Sequence, residues 1–377
     1  MIIYFTRYLL EGNIGGGGRR ALQIINEFKD EPFTYYSREQ LEMGKLLSPY
    51  KTFAYKFEKH FSNGFAKRLR KSLLPYAILK SDYFKWKKEW RKPQLWFWRL
   101  AKSWEKKFHF VQDDTIFIED PYYLRHFVAY LKKRKVKIVA MVQNLETLFK
   151  NYCKDKYRIR LLKKELYWMK RCDLVVTNSR EEAFFLKNYD INVIFYQYYP
   201  PDFIEERLMR IRESRHQSPK ENFLLMGNAG NVATKAGMIA LINIWKKHIT
   251  DEQLCVVGYN TECLEEYTDN ERVILKGPLS DSQFDDALVK AKAVICYQVS
   301  GPGALTRIAE MLVANVPVMG NSHALRSYYN INGVIEFDSI EEFIKGIEYI
   351  KSAGAELDIH YPKPGPLVTK VKTRLDR

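Results

Sequence analysis

The feature that most constrains this chain is an alternation, run through twice, between short apolar stretches and amphipathic stretches whose apolar residues recur three or four apart. An opening apolar stretch over residues 2–8 leads into Gly15, Gly16, Gly17 and Gly18, then into RRALQIINEF, where Leu22, Ile25 and Phe28 share a helical face. After a long basic stretch come TIFIE (Thr115–Glu119), a helix over residues 122–133, KIVAMV (Lys137–Val142), a long amphipathic helix ending at Lys170, and DLVVTN at residues 173–178. A polar segment, residues 200–222, opens on Pro200-Pro201 and reads as a domain boundary. The alternation then restarts with NFLLMG, a helix through Trp245, LCVVG, VILKG, a helix containing Leu288, AVICYQ, a helix containing Glu310, PVMG, and a last helix over residues 343–350.

Strands separated by helices must run parallel, because the chain returns to the same end of the sheet through each helix. The expectation is therefore α/β, with two Rossmann-like doubly wound parallel-sheet domains at residues 1–205 and 206–377 facing a cleft. A proline-rich basic tail from residue 362 is expected either to pack back on the first domain or to remain loose. A chain of 377 residues suits two domains, and 46% hydrophobic with 28% charged residues is a globular rather than a disordered composition.

The net charge of +16 is concentrated: residues 51–110 hold 17 Lys and Arg against 4 Asp and Glu, so most of the excess lies in one window. Trp86, Trp90, Trp96, Trp98 and Trp104 lie there too, five of the seven tryptophans, and the segment reads as a helical insertion in the first domain. Indole rings at headgroup depth with cations on anionic lipids make these five tryptophans candidate membrane-binding residues. The same residue types would serve single-stranded nucleic acid or an anionic polymer, or the rings could be the core of the inserted helices. An anionic membrane is the partner carried forward and nucleic acid is not.

No apolar run approaches the roughly 20 residues that span a bilayer. The first residues, interrupted by Arg7 and Glu11, resemble a strand more than a signal peptide. Cys153, Cys172, Cys255, Cys263 and Cys296 form no CxxC pair, and three of them sit in apolar runs, so reduced core thiols are expected. The chain is expected in the cytoplasm, peripheral on the inner face of the membrane.

The string SGPGALTRIAEMLVANVPVMGN, residues 300–321, places glycines between a buried strand and a helix. Bare amides and the positive end of a helix dipole there can receive phosphate oxygens, with Arg307 in the helix's first turns to reach the same group. Glu310, one turn later, can accept both hydroxyls of a ribose.

Gly301, Gly303, Arg307, Glu310 and Pro317 fall in register with GxGxxxKxxEAxAxGxPV, and the run resembles the carboxy-terminal signature of family-4 glycosyltransferases. The resemblance implies the GT-B architecture and a retaining transfer of sugar from a nucleoside-diphosphate sugar to an acceptor, taken as a lipid-linked or cell-surface glycan. It implies that Glu310 holds the ribose and that the preceding amides bind the distal phosphate. FLLMGNAGNVATKAGMIAL resembles the start of the family's second domain, which makes Gly227, Asn228 and Lys235 donor-binding candidates. Gly15, Gly16, Gly17 and Gly18 resemble the amino-terminal glycine loop that faces the phosphates and shapes the acceptor site, with a merely flexible surface loop as the alternative. CDLVVTNSREEAFFL, with Ser179, and QNLE, residues 143–146, resemble further family stretches.

Five places depart from the family pattern: Pro302 where many members carry a second glutamate, Asn315 where a glycine is usual, Asn228 where an arginine is often found, Gln143 where HNxE has its histidine, and IFIEDPYY where many carry a histidine. Glu119 and Asp120 are the catalytic candidates in that last stretch, able to orient an acceptor hydroxyl or to stabilise positive charge on the sugar, though a strand-end acid is also a common helix cap. No cofactor and no essential metal are expected, since Arg307, Lys235 and the amides stand where other transferases use a divalent ion. A catalytically silent GT-B module binding a glycan, an anionic lipid or nucleic acid is the alternative that Pro302 and the absent histidine keep open.

Overall fold

The structure, a computed structural model, describes residues 1–6, 8, 10, 15–36, 111–112, 114–119, 121, 125–148, 155–353 and 357–376. The window 51–110 with Trp86, Trp90, Trp96, Trp98 and Trp104 lies outside the described residues, as do Asp120 and Cys153.

Two six-stranded parallel sheets form among the described residues. The first takes the order β2-β1-β3-β4-β5-β6, from β1 (Ile2–Phe5), β2 (Phe33–Tyr36), β3 (Thr115–Glu119), β4 (Lys137–Val142), β5 (Leu174–Thr177) and β6 (Val193–Phe195). The second takes the order β12-β11-β10-β7-β8-β9, from β7 (Asn222–Met226), β8 (Leu254–Val257), β9 (Val273–Gly277), β10 (Ala291–Cys296), β11 (Val318–Gly320) and β12 (Val334–Glu336). Helices connect them: α1 (Gly16–Glu27), α2 (Arg125–Lys133), α3 (Asp155–Met169), α4 (Arg180–Lys187), α5 (Asp202–His216), α6 (Val232–His248), α7 (Asp281–Lys290), α8 (Thr306–Val313), α9 (Ser322–Leu325), α10 (Ile340–Ala353) and α11 (Leu367–Leu375).

The central strands are buried on both faces, as a sheet covered by helices requires. Ile116, Phe117 and Ile118 in β3 and Val294, Ile295 and Cys296 in β10 have no exposure. Their alternate side chains enter different apolar clusters, Ile116 and Ile118 on one side of the first sheet and Phe117 on the other. Cys172, Cys255 and Cys296 are buried free thiols, whereas Cys263 is exposed. Burial pushes the Cys172 thiol up to about 12, which keeps it protonated and inert at neutral pH.

One element differs from what the sequence suggests, and a second takes one of the two forms that the sequence allows. The polar segment 200–222 is largely helix: α5 buries Leu208 and Ile211 against the second sheet's helices. It also buries Arg215, whose guanidinium donates to the carbonyls of Asn315 and Ala291, both at 2.9 Å. With only two apolar anchors and one inward arginine, its helical period is weak in the sequence. The tail ends in α11, which leaves the second sheet's neighbourhood and lays Leu367, Val368 and Val371 among Tyr4, Ile24, Phe117 and Val176 of the first. Burial of such side chains contributes roughly 1.5–3 kcal/mol each, so α11 is a structural member of the first unit.

Asn315 explains one departure from the family pattern. It follows α8 with φ of 59°, the left-handed conformation that ends helices and that asparagine, next to glycine, tolerates best. Its Oδ1 accepts the Ile359 amide at 2.8 Å, a bond that glycine would lack.

Candidate functional site between the two sheets

In an open parallel sheet, loops leaving adjacent strands in opposite directions open a crevice at their carboxyl ends, and ligands bind there. Counted from its first strand, the second sheet has the order 3-2-1-4-5-6, with its switch point between β7 and β10. Gly227 and Asn228 leave the end of β7, and the loop carrying Gly301 and Gly303 leaves the end of β10. In the first sheet the switch lies between β1 and β3, which brings Glu119 and the four glycines to its crevice. The glycines are not the expected loop, because Gly15 caps α1 and Gly16, Gly17 and Gly18 form its first turn, continuous with the helix that buries Ala21 and Ile24. Strand order alone thus selects most of the residues that the motifs select.

The two crevices meet. A Cβ added to Gly16 at the start of α1 would lie 3.0 Å from the Thr306 hydroxyl at the start of α8. Three residues on, the Arg19 guanidinium forms an ion pair with Glu310 of α8. Glu310 is only 5% exposed, and its other oxygen accepts the Tyr198 hydroxyl at 2.8 Å. Burial opposes the Arg19 charge, but Glu310 outweighs it and holds the guanidinium above its usual pKa. The Tyr198 hydroxyl is pushed well above the ordinary tyrosine range by burial and then by Glu310.

The loop after β10 is gripped from both units. Gly301 and Gly303 adopt φ of +135° and +75°, which disfavour any side chain. At Gly303 a Cβ would also lie 1.9 Å from Asn144 Oδ1, so the loop backbone rests directly on the turn after β4. The Gly303 amide donates to Glu182 Oε1 of α4 at 2.7 Å. Arg326 fastens the other side, donating to the Pro302 carbonyl at 2.8 Å and also to the Gly303 carbonyl. Burial pushes the Glu182 carboxyl up to about 7, against the pull of the Gly303 and Leu145 amides and the Arg326 charge and with Glu165 adding to the rise.

Next to that grip, Ser179 caps α4 by accepting the Glu182 amide at 3.2 Å, and Glu181 accepts the Ser327 amide of the second unit at 2.8 Å. Two adjacent glutamates of one helix therefore tie the units together. Nothing local in the sequence marks the bonds that Glu181, Glu182, Arg19 and Tyr198 make with Ser327, Gly303 and Glu310, each more than a hundred residues away.

The remaining candidates sit on the second unit's side of the crevice. Arg307 Nη1 stands 3.6 Å from where a Gly227 Cβ would lie, and its Nε is buried with no hydrogen-bond partner. The N-terminus of α6 is capped by Asn231, which accepts the Ala233 and Thr234 amides at 3.0 and 3.1 Å. Lys235 lies in the first turns of that helix, half-buried. The Asn228 side chain braces its own turn, accepting from the Gly230 amide at 2.8 Å and from Asn260 at 3.2 Å.

Glu119 is at the carboxyl end of β3 but faces no solvent. One oxygen accepts the Tyr4 hydroxyl and the other the Thr6 hydroxyl at 3.0 Å, which ties β3 to the carboxyl end of β1. Its neighbour in the sequence, Asp120, is outside the described residues.

Residues 108–197 match the family model for the N-terminal domain of glucosyltransferase 3-like proteins. A comparison with curated proteins gives no sequence match. Solved structures resemble the chain over nearly its whole length. HepE of Anabaena in complex with UDP is 11% identical over 93% of this chain and 90% of its own, with a TM-score of 0.56. A glycosyltransferase of Rickettsia africae is 12% identical over 100% and 93%, with a TM-score of 0.55. The α,α-trehalose 6-phosphate synthase of Burkholderia multivorans is 10% identical over 100% and 93%, with a TM-score of 0.54. At such low identity the likeness speaks for architecture, and with two parallel doubly wound sheets set across a cleft, the architecture is GT-B.

Proposed function

We propose that the chain is a retaining glycosyltransferase of the family-4 type, taking its sugar from a nucleoside-diphosphate sugar. The observation that carries this reading is the convergence on α8. Its N-terminus, the glycines before it, Arg307, and Glu310 one turn on lie at the second sheet's switch point and directly opposite the Gly15–Gly18 start of α1. Backbone amides, a helix dipole and a guanidinium suit a diphosphate. A buried carboxylate one turn away suits the ribose diol attached to it.

In this reading the second unit binds the donor through Gly227, Gly301, Gly303, Arg307, Glu310 and Lys235, the last supplying a second cation to the diphosphate. No divalent ion or other cofactor is required. Asn228 shapes the turn that Gly227 enters. The first unit presents the acceptor, a lipid-linked or cell-surface glycan, with the Gly15–Gly18 start of α1 between acceptor and phosphates. Closure of the cleft would exclude water from the reacting centre.

Glu119, with both oxygens engaged by Tyr4 and Thr6, acts by holding the β1 end in place, and Asp120 is the acid left to meet an acceptor hydroxyl. Lodging of the five tryptophans in an anionic membrane would bring the acceptor face to its substrate. HepE is described in complex with UDP-glucose as well as UDP, so UDP-hexoses are the first donors to try. Thermal stabilisation and slow hydrolysis across UDP-, GDP-, ADP- and dTDP-sugars test the reading. It predicts a shift and hydrolysis with at least one of them in the presence of EDTA, and a panel without effect would overturn it.

A further inference from the structure

Glu310 already has two partners, one of them charged and drawn from the opposite unit. Its Oε1 accepts Tyr198 and its Oε2 accepts Arg19. A carboxylate oxygen has two lone pairs, so Tyr198 can share Oε1 with a ribose hydroxyl. A second hydroxyl directed at Oε2 meets the Arg19 guanidinium, which reaches across from the first turn of α1. Once moved off Glu310, that guanidinium remains tethered to a helix that touches α8 at Gly16 and Thr306. The nearest place for its charge is the α8 N-terminus, where the loop with Gly301 and Gly303, and Arg307, gather.

We propose that Arg19 is a nucleotide-specificity residue, held on Glu310 until a nucleoside diphosphate delivers a ribose to Glu310 and a diphosphate to Arg19 in the same event. The inference rests on the donor-binding reading above and names the first-unit residue that completes that site. The exchange leaves neither side chain without a partner: two ribose hydroxyls and Tyr198 supply Glu310 with hydrogen bonds in place of the ion pair, and the diphosphate receives the guanidinium. A nucleoside without phosphates must break the pair and offers Arg19 nothing. Arg19 therefore makes the site discriminate nucleoside diphosphates from nucleosides, beyond what Arg307 and Lys235 supply, and couples occupancy of the second unit to the position of the first.

The test is titration of the full chain with UDP and, separately, uridine, for wild type, Arg19→Met and Arg19→Lys. Arg19→Met is expected to weaken UDP by about tenfold, the scale of one charge-assisted hydrogen bond. It is expected to tighten uridine by about threefold, the scale of a partly exposed ion pair no longer competing. Arg19→Lys is expected to recover most of the UDP affinity. Opposite signs for the two ligands separate this role from a structural one, which would move both together. Unchanged affinities, or parallel losses in a variant with wild-type thermal stability, would overturn the proposal while leaving the donor site standing. A wild type that binds none of UDP, GDP, ADP and dTDP would overturn the donor-binding reading and this proposal with it.

Discussion

Replacing Glu182 by glutamine should make the protein more stable in alkaline solution and leave it unchanged in acid. Glu182 is 4% exposed, accepts the Gly303 amide, and faces the Leu145 amide, the Arg326 guanidinium and the Glu165 carboxyl. Burial lifts its pKa from the ordinary 4.5 to about 7. A carboxyl raised in the fold binds a proton there that the unfolded chain has already lost, so its contribution to stability is complete below 4.5 and disappears as pH rises through about 7. At 1.36 kcal/mol for each tenfold change, that interval is worth at most about 3 kcal/mol. Glutamine keeps an oxygen for the Gly303 amide and never ionises. The difference between Glu182→Gln and wild type, measured by urea unfolding at pH 4, 5, 6, 7 and 8, should therefore be near zero at pH 4, already about 1 kcal/mol at pH 5, and grow towards about 3 kcal/mol in favour of the variant at pH 8. A difference that stays flat, or that favours wild type increasingly as pH rises, would refute the account of this interdomain grip.

The other predictions concern the loop, the tail and the surface. Gly303→Ala places a methyl group against Asn144 and forces a positive φ at a cost of about 1–2 kcal/mol; activity with a confirmed donor should fall while each sheet still folds, and full activity would contradict the placement of the loop. Leu367→Ala in α11 should destabilise the first unit by about 2–5 kcal/mol, because Leu367 has no exposure; a loss below 1 kcal/mol in thermal or urea unfolding, against that range of about 2–5 kcal/mol, would show that the tail is not part of the core. Alanine at Trp86, Trp90, Trp96, Trp98 and Trp104 together should release the protein from anionic vesicles in a sedimentation assay, and a wild type that never sediments with them would remove the membrane from the account.

The parts of this fold that could be read from the sequence are those whose signal is local. Central strands such as TIFIE and AVICYQ carry their burial in every residue, and the glycine-to-helix run around residues 301–310 carries both a turn and its chemistry within one short stretch. Short edge strands gave no such signal: FTYY at β2 and VIE at β12 are four and three residues long and only partly buried. Helix α5 was hidden because its inward face combines Leu208 and Ile211 with a charged Arg215. The grips on the loop, Glu182 with Gly303 and Arg326 with Pro302, and the Arg19–Glu310 pair join residues that only the topology brings together. No window of sequence contains both partners. Pro302, a departure from the family pattern, also has a structural use, since its carbonyl is one of the three that Arg326 holds.

The central claim is that Glu310 anchors the ribose of a nucleoside-diphosphate sugar. Its most direct test is the affinity of Glu310→Ala for whichever donor stabilises the wild type, measured by calorimetry in parallel with wild type. Loss of charge-assisted hydrogen bonds worth about 1.5–3 kcal/mol predicts binding weaker by about ten- to a hundredfold. Undiminished affinity for that donor in a folded Glu310→Ala protein would contradict it.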